Sequence, residues 1–124
     1  MKKITLLTKT AFHTSNIGLI LIYLYPGSLF GWLLYGDTQR QPQLTSDFLV
    51  STNHFYAFTL LSALGLFSYH ANKHKLLFLY FFSLSMLLEL CHIIIPNRSY
   101  EFVDFLGNIL GVFIIYILSK FMKF

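Results

Sequence analysis

The stretch Leu87–Gly111, LLELCHIIIPNRSYEFVDFLGNILG, decides the reading of this chain. One apolar run ends at Pro96-Asn97-Arg98, and a second begins at Phe102. Glu89, His92, Arg98, Glu101, Asp104 and Asn108 are set within or beside those runs. At the centre of a membrane helix an acid costs about 2.5–3.5 kcal/mol. Ionisable groups persist at such positions when they satisfy one another or when they perform a task.

Composition agrees with a membrane setting. Of 124 residues, 56% are hydrophobic, 14 are Phe and 8 are Tyr, against nine Lys or Arg and five Asp or Glu. A water-soluble domain of this size could not hide so much apolar surface. The net charge of +4 is small and spread out, which argues against a nucleic-acid partner. The single Cys91 excludes an intramolecular disulfide and a cysteine-based metal site. Met1-Lys2-Lys3 is like the basic start of a signal peptide, but no small-residue cleavage pattern follows, so a retained anchor is expected.

Working outward, the hydropathy predicts an all-α chain, a single domain over 1–124. It is a bundle of four transmembrane helices at about 4–25, 48–69, 76–95 and 102–119. Pro26-Gly27-Ser28 stops the first helix, and Leu29–Tyr35 is expected as an interfacial or re-entrant piece. Gly36–Asp47 reads as an exposed loop whose Thr45-Ser46-Asp47 end can cap the next helix. His70–Lys75 reads as a basic turn. With both termini cytoplasmic, Lys2, Lys3, Lys9, Lys73, Lys75, Lys120 and Lys123 fall inside, and only Arg40 and Arg98 fall outside.

Depth then singles out a site. His54, Glu89 and Asn108 each lie about six positions, roughly 9 Å, from the outer end of their span. Glu89 and His92 share a helix face, as do Asp104, Asn108 and Gly111. Gly107 and Gly111 form a Gly-x-x-x-Gly pair that permits close helix approach. Arg98 is placed to reach back to Glu89, Glu101 or Asp104, or to hold a phosphate with two bonds. The candidate catalytic residues are therefore His54, Glu89 and His92, exchanging a proton among themselves. The candidate substrate-binding residues are Arg98, Asp104 and Asn108. The Phe and Tyr residues are expected to face lipid. His13, His70 and His74 receive no role. The spacing of His54, Glu89 and His92 is not a metal motif, so neither a metal nor another cofactor is expected.

The string Glu89-x-x-His92-x-x-x-Pro96-x-Arg98, followed by Asp104-x-x-x-Asn108-x-x-Gly111, resembles the VanZ-like membrane proteins. So does His54-Phe55 in the preceding span, and the resemblance covers about residues 47–119. This chain departs in having His92 where family members often have Gln, and Asn53 where many have Lys. The resemblance implies a small multi-pass protein of the bacterial inner membrane. The family's namesake is associated with resistance to the glycopeptide antibiotic teicoplanin at the cell surface.

Two functions of different class follow. In the first, the polar cluster faces the outer leaflet and binds or acts on an envelope lipid or lipid-linked cell-wall precursor, with its anionic group at Arg98. In the second, the chain is a non-catalytic scaffold or interaction protein whose cluster locks helix packing. A transporter is weaker, because four spans make no pore without an oligomer. No nucleophilic serine paired with a base and no phosphate-binding glycine loop is present, so an enzymatic activity is left open.

Overall fold

The computed structural model describes residues 2–122. Lys123, counted above among the inner charges, lies outside the described residues. Five helices form: α1 (Lys2–Leu24), α2 (Leu29–Tyr35), α3 (Thr52–Ser68), α4 (Ala71–Cys91) and α5 (Phe102–Phe121). The all-α class is as expected; the elements differ from the four predicted spans in informative ways.

α4 and α5 are each long and apolar enough to cross a membrane. The break at Tyr25–Ser28 leaves α2 bent by 88° from α1, so the pair reaches that standard only as one broken span. α3 has 17 residues, about 26 Å at 1.5 Å per residue, short of a hydrocarbon core of about 30 Å. Two candidate spans are thus present among the described residues, or three if the bent pair is one.

Local chemistry explains the shifted boundaries. α4 begins at Ala71, so Lys73 and Lys75 lie in its first turns and not in a basic loop. Ala and Lys are good helix formers, and the extended Tyr69 and His70 alone make the turn. At the other end Pro96 lacks an N–H and disfavours helix at the residue before it. The chain winds down through 93–95 with Ile93 N–H donating to Leu90 O (3.1 Å) and Ile94 N–H to Cys91 O (3.1 Å). Asn97, at φ 62°, turns it toward α5. Asp47 ties down the start of α3 as anticipated, its Oδ1 accepting from Thr52 N–H at 3.0 Å.

Contacts fix the helix directions. The start of α1 meets the end of α3, with Lys9 Nζ 5.0 Å from the Tyr69 ring centroid and His13 Nε2 2.7 Å from the Tyr69 hydroxyl. The end of α1 meets the start of α3 through Tyr23 and His54. α3 and α5 run parallel and close. A Cβ on Gly107 would stand 2.6 Å from Ser51 O, and one on Gly111 2.7 Å from Phe55 O. α4 runs opposite to both, its Glu89 meeting His54 near the start of α3. Lys9, Lys73, Lys75 and Lys120 therefore gather at one end of the bundle, and Arg40 and Arg98 at the other.

α3 is the hub, packing on α1, α4 and α5. Phe12, Phe58, Phe81, Leu61, Leu88 and Val112 make the core. The outward surface is apolar as well: only 28% of the most apolar window of α4, and of α5, is buried inside the bundle. Water would penalise that exposure and lipid would not.

Candidate functional site

The polar residues collect at the Arg98 end of the bundle, where α1 ends, α3 and α5 begin and α4 ends. His54 belongs to α3, Glu89 to α4, and Asp104 and Asn108 to α5. Glu89 and Asn108 are fully buried. The three residues placed at a common depth do meet: His54 Nδ1 is 2.9 Å from Asn108 Oδ1 and 3.9 Å from Glu89 Oε2. Close approach at Gly107 and Gly111 brings α5 near enough for this contact.

The centre of the cluster is a residue the sequence reading left to the lipid face. Tyr23, at the end of α1, is 4% exposed. Its hydroxyl donates to Asn108 Oδ1 at 2.7 Å and lies 2.7 Å from His54 Nδ1. Its backbone carbonyl is 3.0 Å from His92 Nε2, and its ring stacks on that imidazole at a centroid distance of 5.8 Å. Its one signal in the sequence is its place just before the Pro26-Gly27 break, where α1 must end beside the cluster.

Hydrogen-bonding roles can be assigned from donors and acceptors. Asn108 Nδ2 donates to the Ser85 carbonyl at 3.1 Å, which fixes the amide and turns Oδ1 toward Tyr23 and His54. An amide oxygen only accepts. Tyr23 gives it its single proton, so His54 must carry hydrogen on Nδ1 to make its own short contacts favourable. The opposite nitrogen, Nε2, lies 3.6 Å from Asp104 Oδ2.

His92 is buried behind Glu89. Its Nε2 faces a carbonyl and must donate, while its Nδ1 stands 3.3 Å from Glu89 Oε1. His92 thus bridges the end of α1 and the Glu89 carboxyl. Glu89 Oε1 also accepts from the Glu101 backbone N–H at 3.1 Å, tying the α4–α5 turn to the cluster. Glu89 Oε2 is buried and has no hydrogen-bond partner.

Arg98 does not reach back as anticipated. Among the described residues it makes no ion pair within 4.0 Å with Glu89, Glu101 or Asp104, and its buried Nε has no hydrogen-bond partner. Its charge nevertheless lies near enough to act on the Tyr23 hydroxyl at the centre of the cluster.

Residues able to hold a metal ion do come together, with one member different from the set weighed in the sequence. They are His54, Glu89 and Asp104, with one ligand atom from each lying within 4.8 Å of the others. His92 instead braces Glu89 from behind. Compared with protein-family models, curated proteins and solved structures, the chain matches none.

Proposed function

We propose that this chain is a four-span protein of the bacterial inner membrane, of the VanZ-like kind, with both termini cytoplasmic. Its polar cluster opens toward the outer leaflet and binds the phosphate of an envelope lipid or lipid-linked precursor. The observation that carries this reading is Arg98: a guanidinium beside the cluster whose shielded Nε has no partner and which, among the described residues, pairs with no carboxylate within 4.0 Å. A buried donor without an acceptor costs about 1–3 kcal/mol. An anionic oxygen supplied by a ligand removes that cost, and a guanidinium suits phosphate because it offers paired donors. The apolar outward faces of α4 and α5 supply the lipid contact that the ligand's chains require.

The test uses native mass spectrometry on detergent-solubilised protein with a short-chain polyprenyl phosphate and the matching uncharged alcohol. Wild type should prefer the phosphate by about tenfold or more, the worth of one charge-assisted contact. Arg98→Gln should abolish the preference. Equal binding of phosphate and alcohol by wild type, or a preference that survives in Arg98→Gln, refutes the reading.

The packing-lock reading is favoured by a different observation. Tyr23, His54, Asn108 and the Ser85 carbonyl satisfy one another across four helices. Under it Glu89→Gln lowers thermal stability and protein level, and phosphate is bound no better than alcohol. An abundant, well-folded Glu89→Gln protein that has lost the phenotype of the wild type counts against it.

A further inference from the structure

Three helices each bring one ligand-type side chain to the same point. One ring nitrogen of His54 and one oxygen each of Glu89 and Asp104 all lie within 4.8 Å of one another. The two carboxylates approach different nitrogens of His54, Asp104 Oδ2 lying 3.6 Å from Nε2 and Glu89 Oε2 3.9 Å from Nδ1. Both are too long for hydrogen bonds. The centre of three atoms within 4.8 Å of one another is no more than about 2.8 Å from each, so modest side-chain movement reaches the roughly 2.0–2.2 Å of zinc bonds to imidazole and carboxylate.

A second observation is independent of this spacing. Glu89 Oε2 is buried and receives no hydrogen bond, although Oε1 of the same carboxylate is held by the Glu101 N–H and faces His92. A carboxylate oxygen left bare in an apolar interior is strongly penalised unless a cation lies against it. The tautomer deduced for His54 points the same way. Its Nδ1 hydrogen is engaged by Asn108 Oδ1 and Tyr23, which leaves Nε2 as the nitrogen free to ligate. A ligating histidine generally donates its other N–H to an oxygen that fixes the ring, and Asn108 occupies that place here.

We infer that His54, Glu89 and Asp104 bind a divalent cation of the zinc or manganese class. Carboxylate oxygens and an imidazole nitrogen are ligands that such an ion takes. The imidazole favours transition metals over magnesium and calcium. Three protein ligands leave at least one position open to water or a ligand oxygen. Access is from the side of His54 and Asp104, whose side chains are 17% and 19% exposed, while Glu89 closes the inner wall at 0%. His92 and the Glu101 N–H orient Glu89, and the Ser51 hydroxyl lies beside Asp104. The cation site deepens the phosphate reading and rests on it in one respect only: the oxygen that fills the open position is then that of the phosphate beside Arg98. The binding of the ion itself does not depend on lipid.

The experiment uses full-length protein without a polyhistidine tag, in detergent without added lipid, stripped with chelator and reloaded with Zn2+ or Mn2+. Metal per chain is read by plasma mass spectrometry after gel filtration, and affinity by competition with a chromophoric chelator. Wild type should retain one ion per chain and melt at a higher temperature when loaded. Glu89→Gln and Asp104→Asn should each weaken binding by about 100-fold or more, beyond the 10–100-fold typical of lost supporting contacts. His13→Ala, at the far end of the bundle, should bind as wild type. Asp104 is partly exposed, so Asp104→Asn decides the matter if Glu89→Gln does not fold. Wild type that holds less than half an ion per chain and gains no thermal stability overturns the proposal. So does Asp104→Asn at wild-type affinity. Phosphate preference that persists without metal binding sinks the cation site alone, and metal binding without phosphate preference sinks the lipid reading alone.

Discussion

Removing one oxygen atom, by Tyr23→Phe, tests whether the cluster is as connected as its geometry implies. The Tyr23 hydroxyl makes two contacts of 2.7 Å, to Asn108 Oδ1 and His54 Nδ1, at a site 4% exposed. Phenylalanine fills the same space, so no cavity penalty enters. A neutral hydrogen bond contributes about 0.5–1.5 kcal/mol net, and those between membrane helices average about 0.6. Two such bonds give an expected loss of about 1–2 kcal/mol. Asn108 Oδ1 and His54 Nδ1 keep each other at 2.9 Å, so neither is left wholly bare, which holds the loss below the cost of a buried unsatisfied group. The assay is reversible unfolding in mixed detergent–SDS micelles, followed by far-UV circular dichroism. A double-mutant cycle with Asn108→Ala should give a coupling of about 0.5–1.5 kcal/mol. A Tyr23→Phe loss under about 0.3 kcal/mol, with strict additivity in the cycle, refutes the assignment of Tyr23 as the centre of the network.

Gly111→Leu places a side chain where even a Cβ would stand 2.7 Å from Phe55 O and 2.9 Å from Thr59 N. It should destabilise by about 1–3 kcal/mol in the same assay, whereas Gly18→Ala, with nothing within 4 Å, should be neutral or slightly stabilising. Asp47→Ala removes the carboxylate that accepts from the Thr52 N–H, and should cost about 0.5–2 kcal/mol as the loss of a helix-start anchor does elsewhere. For the proposed four-span topology, single cysteines replacing Thr45 and Lys75 on a Cys91→Ser background should react with a membrane-impermeant maleimide from opposite faces of the membrane. Reaction of both from one face would show that α3 does not cross.

Some of this architecture was readable without coordinates because it depends on quantities local to the chain. Pro96 stops α4 through its missing N–H, and the apolar runs mark α4 and α5 through their length. His54, Glu89 and Asn108 do meet as expected, though α3 starts at Thr52 and α4 ends at Cys91, so the count of six positions from each outer end holds for Asn108 alone. The Gly107–Gly111 pair announces close approach because nothing but backbone is there to prevent it.

Other features depend on which helix faces which, and counting cannot supply that. Tyr23 reads as one more aromatic in an oily run, and becomes central only because α1 ends against α3, α4 and α5. His92 shares a face with Glu89, yet the neighbouring Tyr23 carbonyl turns it into a brace and leaves Asp104 as the third ligand-type group. Arg98 lies near three carboxylates in sequence, yet among the described residues it pairs with none of them within 4.0 Å. Sequence alone therefore set the helical class and the long apolar runs of α4 and α5, both governed by bonding and composition within a single helix. Tertiary structure alone decided the rotation of each helix about its axis, and with it which polar atoms meet and which, like Glu89 Oε2, are left without a hydrogen-bond partner.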